Sequence, residues 1–326
     1  MPGATAIPIG YWAAFTMLVM VALAIDLGLF HRHGRAVGFR EALGWTTVWF
    51  ALAMVFGIWV GPHFVEGWHA SSTAQFLAGY FVELSLSMDN VFVIAVVFSY
   101  FEVPRAWQHR VLFWGILGAL MMRGILIWAG SELIEHFHQA LYVMGAFLVY
   151  TGAKMAFAGE DADPGALERR PVVRLARRWL PFGDAYEGER FVTVLGGRRV
   201  FTPLFLVLLV VETTDVIFAL DSIPAIFGIT SQPFLVFTSN VFAILGLRSL
   251  YFVLASAMGY FRYMKHGLAL VLVLIGAKML AEPWLKERLG ENLTRVSLGL
   301  VVGIILASML FSVVAAWHGR RKAGGN

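Results

Sequence analysis

Long apolar runs leave this chain few folds to choose from. Between residues 203 and 228 there is no lysine or arginine, and only Glu212, Asp215 and Asp221 carry charge. A helix needs about 20 apolar residues to cross a bilayer core of roughly 30 Å. In hydrocarbon every backbone polar group has to be satisfied internally, so only helices and closed barrels span. Runs of this length, without the two-residue alternation of barrel strands, select helices. The expected fold is all-α, a polytopic transmembrane helical bundle of about nine spans, near 11–30, 41–61, 75–101, 111–130, 139–157, 203–228, 234–257, 265–281 and 295–317. Composition agrees: 59% of the 326 residues are hydrophobic and 14% charged, where a soluble domain is about a quarter charged.

The charges that remain sort by loop. Arg32, Arg35 and Arg40 follow the first span, Arg105 and Arg110 the third, eight arginines the fifth, Arg262 and Lys265 the seventh, and Arg320, Arg321 and Lys322 the last. The stretches 62–74, 131–138 and 229–233 carry neither lysine nor arginine. By the positive-inside rule the N-terminus lies outside and the C-terminus in the cytoplasm. The 282–294 loop, with Lys286 and Arg288, is the exception, placed outside nonetheless. Net charge of +4 therefore reports topology, and no nucleic-acid partner is expected. No cleavable signal is expected at the start of the chain. Cysteine is absent, which excludes disulfides, thiolate metal sites and a cysteine nucleophile.

A repeat organises the rest. Spans three to five (75–157) and six to eight (203–281) carry the same marks in the same order: a carboxylate cluster, then an arginine (Arg123, Arg248), then Gly-Ala-Lys-Met (from Gly152 and from Gly276). Three spans per unit is an odd number, so the second unit enters from the opposite side. That is an inverted repeat, with a site expected at the interface near the midplane. Residues 1–74 supply two leading spans, 282–326 the last span and tail, and 158–202 a cytoplasmic linker. Within the linker, 172–180 reads as an amphipathic interfacial helix and 191–201 as a hairpin around Gly196-Gly197.

Glu83-Leu-Ser-Leu-Ser-Met-Asp89-Asn90 and Glu212-Thr-Thr-Asp215, with Asp221-Ser222 beyond, put ionisable groups at bilayer depth. Each costs roughly 2.5–3.5 kcal/mol on insertion scales, so such residues mark ion pathways. Glu83, Ser87 and Asn90 share one helix face. Glu212, Asp215 and Ser222 share another, with Asp221 flanking it. Oxygen-only donors suit hard divalent cations such as Mn²⁺, Mg²⁺ or Ca²⁺. Glu83, Asp89, Asn90, Glu212, Asp215, Asp221 and Ser222 are the candidate metal ligands. Pro224 cannot donate to the Leu220 carbonyl and is expected to break the helix and aim carbonyls at the ion, unless it forms a plain kink. Arg123, Lys154, Arg248 and Lys278 are expected to balance the charge, leaving a surplus of negatives for a divalent ion or protons. His31, His33, His136 and His138 read as interfacial. Asn240 faces either the pathway or a neighbouring helix, and Gly115, Gly118, Gly246 and Gly276 permit close packing. Nothing has the spacing of a catalytic apparatus, so no enzyme is expected.

Ser87-Met-Asp89-Asn90-Val-Phe-Val, Ala219-Leu-Asp221-Ser222-Ile-Pro224-Ala-Ile-Phe and Thr238-Ser-Asn240-Val-Phe-Ala-Ile-Leu-Gly-Leu-Arg248 resemble the signature of the TerC family, including its Alx-type members. The likeness extends to Pro171-Val-Val-Arg174 and the Thr202-Pro-Leu-Phe start of span six. It implies a bacterial inner-membrane protein of a family named for tellurium resistance, with Alx-type members exporting Mn²⁺. It makes Asp89 and Asp221, beside Asn90 and Ser222, the central ligands. Expected partners are the lipid bilayer, the transported divalent cation and protons; no resident cofactor is expected. A rival reading is a non-transporting assembly or stress-response factor working through 158–202.

Overall fold

In the computed structural model, residues 7–30, 38–137, 139–157, 171–183, 185–255 and 264–289 are described, with parts of 293–311. Helix α1 (Ile9–Phe30) is followed by α2 (Phe39–Val55), which runs through a π-helical turn, Phe56–Val60, into the short α3 (Gly61–Phe64). Three long helices come next: α4 (Ala70–Tyr100), α5 (Arg105–His136) and α6 (Ala140–Phe157). The linker holds α7 (Pro171–Trp179) and a hairpin, β1 (Val192–Leu195) and β2 (Arg198–Phe201). The second half comprises α8 (Pro203–Phe227), α9 (Pro233–Leu245), α10 (Leu247–Ala255), α11 (Met264–Leu280) and α12 (Glu282–Leu289).

Among the described residues, five helices are long and apolar enough to cross a membrane: Phe39–Phe64, Ala70–Tyr100, Arg105–His136, Ala140–Phe157 and Pro203–Phe227. Two bent pairs bring the number to seven. Shorter apolar helices at Ile9–Ile25 and Gly299–Ser308 fall where the first and ninth spans were expected.

The span expected at 234–257 is bent by 44° between α9 and α10. Gly246 sits at that joint, where a glycine loosens the helix. Beyond 281 the chain turns 81° into α12 rather than entering a loop. The helix break expected at Pro224 does not occur: α8 continues to Phe227, and the Gly228 amide donates to the Pro224 carbonyl at 2.9 Å. Buried Ile223, Ala225 and Ile226 hold this turn against its neighbours, and membrane helices keep proline when packing supports the backbone.

Register follows from contacts. Thr230 donates to Gln75 at 2.9 Å, and the Gly79 backbone lies against Ile226, so α4 and α8 run antiparallel. Gly115 meets Val211 and Gly130 meets Phe227, so α5 and α8 run parallel. A Cβ on Gly145 would lie 3.1 Å from the Gly276 carbonyl, and one on Gly152 2.8 Å from the Ala269 carbonyl. Helices α6 and α11 are thus antiparallel and in backbone contact, which only residues without side chains allow. The hairpin turns at Gly196 and Gly197, with φ of +57° and +79°, the two positive values a tight two-residue turn requires.

Candidate cation site in the membrane core

Arg123 lies near the middle of α5, and α5 packs parallel to α8. That register sets its guanidinium against Asp215, itself near the middle of α8. The contact is bidentate: Nη2 donates to Oδ1 at 3.0 Å and Nε to Oδ2 at 3.3 Å. Nη1 donates to Glu83 of α4, to Asn240 Oδ1 at 2.8 Å on α9, and to Ser222 Oγ at 3.3 Å on α8. Three acceptors meet the two hydrogens of Nη1, so one hydrogen is shared. Arg123 and Glu83 are 2% and 0% exposed and Asp215 11%. One guanidinium faces two carboxylates, so when both are ionised the hub carries a surplus negative charge, and the hydrogen bonds to Arg123 offset part of the cost of burying it. The hub ties both halves of the chain together.

Glu83, Ser87 and Asn90 form a buried stripe on α4, as the helical spacing predicts. Ser87 donates to Glu83 at 3.4 Å. Glu83 Oε2 and both polar atoms of Asn90 have no hydrogen-bond partner. A buried polar atom left this way costs about 1–3 kcal/mol. These atoms are therefore where a donor or cation gains most, and they are oxygen-rich.

The seven expected ligands do not meet at one point. Glu83, Asp215 and Ser222 converge on Arg123. Glu212, one turn before Asp215, lies against α5 instead, and a Cβ on Gly118 would come within 2.0 Å of its carboxylate. Gly118 thus makes room for a charged group rather than for a helix. Asp221 turns toward α6, beside Thr151 and Lys154. Asp89 is half-buried on α4, off the Glu83–Asn90 face. Among the described residues no three His, Asp or Glu side chains are placed to hold a metal ion. The guanidinium stands between Glu83 and Asp215, so a cation held by both has to displace it.

The expected balancing charges divide similarly. Arg123 is at the hub, and Lys154 is beside Asp221. Arg248 is buried in the first turn of α10. Lys278 faces no cluster carboxylate among the bonds described: its Nζ donates to the Gly228 carbonyl at 2.8 Å, where a cation favourably caps the C-terminus of α8. Asn240, ambiguous from sequence, is a full member of the hub and also donates to the Val236 carbonyl.

A helical membrane bundle in which two buried carboxylates share one guanidinium near the middle of their helices defines an integral multi-pass membrane protein built around an ionisable core. The model of the integral membrane protein TerC family matches residues 68–321, and the chain belongs to that family. It is 46% identical over 313 residues to an uncharacterised membrane protein of Myxococcus xanthus, covering 95% of this chain and 93% of that one. It is 44% identical over 320 residues to a protein of Escherichia coli K12 named as a membrane-bound redox modulator, Alx, covering 96% and 97%. An uncharacterised membrane protein of Rickettsia felis is 34% identical over 303 residues, covering 92% and 99%. No solved structure matches.

Proposed function

We propose that this protein is a secondary transporter that exports a divalent cation, Mn²⁺ before Ca²⁺ or Mg²⁺, in exchange for protons across a bacterial inner membrane. The observation that carries this reading is the hub, where Glu83 and Asp215, one from each half of the chain, share Arg123 near the middle of the long apolar helices. In this scheme the cation displaces Arg123 and takes oxygens from Glu83, Asp215, Ser222 and Asn90. Glu212, half-buried three residues from Asp215, takes up or releases the coupled proton. Asp89 and Asp221 serve at the approaches rather than as the central pair. The antiparallel contact of α6 with α11 and of α4 with α8 supports an inverted repeat; the distribution of lysine and arginine among the loops supports an N-terminus outside and a cytoplasmic C-terminus.

The redox role in the name of the E. coli relative bears on this chain in one way. With no cysteine, it has no thiol for disulfide exchange; under the transporter reading a redox effect is indirect, through the metal it moves. The folded linker, packed on the bundle, favours a second reading: a membrane factor acting on other proteins through 171–201. Cellular manganese separates the two. Under the transporter reading, Glu83→Gln and Asp215→Asn lose manganese tolerance and accumulate Mn²⁺ while still inserting, and linker variants that fold do not. The reverse pattern favours the second reading.

A further inference from the structure

The linker carries a surface that the transport scheme does not use. Residues 171–201 contain six arginines against three acids. The described acids are engaged: Glu189 is 3.6 Å from Arg110 and 3.9 Å from His109, and Glu187 accepts from the Thr193 hydroxyl. Arg177, Arg178, Arg198 and Arg199 are exposed.

Helix α7 is anchored on one face only. Val173 and Ala176 are buried in the core that contains Val91 of α4, Val207 of α8 and Leu254 of α10. On the outer side Leu175 is 59% and Trp179 77% exposed. They stand at i and i+4, one above the other, flanked by Arg174 and Arg178. The hairpin repeats the pattern, with exposed Val194 and Leu195 leading into Arg198 and Arg199.

The level of this segment is fixed by its contacts. The Tyr186 hydroxyl donates to the Phe101 carbonyl at 2.6 Å, where α4 ends. Arg110, at the start of α5, lies 5.3 Å from the Phe191 ring. The segment therefore sits at the ends of the spans, at the depth of lipid headgroups. A tryptophan–leucine tip among arginines at that depth is matched in charge and polarity to an anionic leaflet.

We propose that the outer face of α7 and the tip of the β1–β2 hairpin dock on anionic phospholipid headgroups of the protein's own bilayer. Arg177, Arg178, Arg198 and Arg199 supply the charge, and Leu175, Trp179 and Val194 the apolar insertion. Each arginine near an anionic surface is worth on the order of five-fold in partitioning. The other face of α7 rests on α8, so lipid composition acts directly on the end of a helix that carries the hub. This inference stands whether or not the protein transports a cation.

Because the chain has no cysteine, a single reporter is unambiguous. Leu175→Cys, labelled with an environment-sensitive fluorophore, is reconstituted into nanodiscs of neutral phosphatidylcholine or of phosphatidylcholine with 30% phosphatidylglycerol. Neutral acrylamide serves as quencher. Expected are a blue shift and several-fold weaker quenching in the anionic discs, reversed by high salt and by Arg177→Gln/Arg178→Gln. Val194→Cys reports the hairpin, with Arg198→Gln/Arg199→Gln as its control. Equal quenching in both lipids overturns the proposal. So does protection by soluble polyphosphate with none from anionic lipid, which would point to a soluble acidic partner.

Discussion

Replacing Arg123 by leucine tests whether the hub is a charge balance or a collection of replaceable contacts. Leucine removes the donors to Asp215, Glu83, Asn240 and Ser222 and leaves two carboxylates buried without their cation. Removing one partner of a buried ion pair costs about 3–5 kcal/mol. Two carboxylates depend on this one cation, so the loss belongs near the upper end. At roughly 2–4 °C per kcal/mol, the figure for domains of about 150–250 residues, the midpoint of thermal unfolding in detergent falls by roughly 10–20 °C. The decisive comparison is Arg123→Leu/Glu83→Gln/Asp215→Asn, which removes the negative charges as well. The penalty comes mainly from orphaned charge, so this triple variant recovers at least half of the lost midpoint. A single variant as stable as wild type, or a triple no better than the single, refutes the reasoning.

Gly118→Val drives a side chain into the Glu212 carboxylate, and transport falls at least ten-fold while the hub stays intact; vesicle flux with a Gly118→Ala intermediate checks it. Gly152→Leu forces α6 away from the Ala269 carbonyl of α11, which places it among core overpacking changes of about 1–3 kcal/mol or more; thermal unfolding of the purified protein reads the loss. Tyr186, outside the membrane, is pushed up to about 12 by burial and by Glu102. A folded value above the unfolded one makes its stabilisation complete below about pH 10 and lost as pH rises through about 12. In an alkaline absorbance titration, the difference between wild type and Tyr186→Phe therefore shows phenolate appearing near pH 12 and not near 10.

Some features were readable from sequence because they depend on local chemistry. The Gly196-Gly197 turn is set by two residues that accept positive φ. The α7 helix follows from the arginine-studded, amphipathic stretch 172–180, and the Glu83–Ser87–Asn90 stripe from helical period alone. What could not be read depends on rotation and register between helices. Asp221 lies six residues beyond Asp215, a spacing that looks like the Glu83–Asp89 pair, yet the 100° step turns it toward α6 and Lys154. Asn240 was ambiguous because only the packing of α9 against α5 settles which way it points. Pro224 looked like a break because its chemistry is local, whereas the helix survives through tertiary packing of its neighbours. The actual joint, Gly246, gave a weaker signal: one glycine in an apolar run, indistinguishable from a packing glycine.

The central claim is that the buried carboxylates move a divalent cation. Its most direct test is Mn²⁺ flux into sealed proteoliposomes carrying a fluorescent divalent reporter and an internal pH dye, comparing wild type with Glu83→Gln, Asp215→Asn and Asp89→Asn/Asp221→Asn. Wild-type vesicles are expected to show saturable Mn²⁺ uptake driven by a pH gradient and accompanied by proton counterflow. That uptake is abolished by either hub substitution and is reduced but measurable in the Asp89/Asp221 pair. Wild-type vesicles as inert as protein-free ones, beside a working control transporter, would contradict it, and so would flux unchanged by Glu83→Gln and Asp215→Asn.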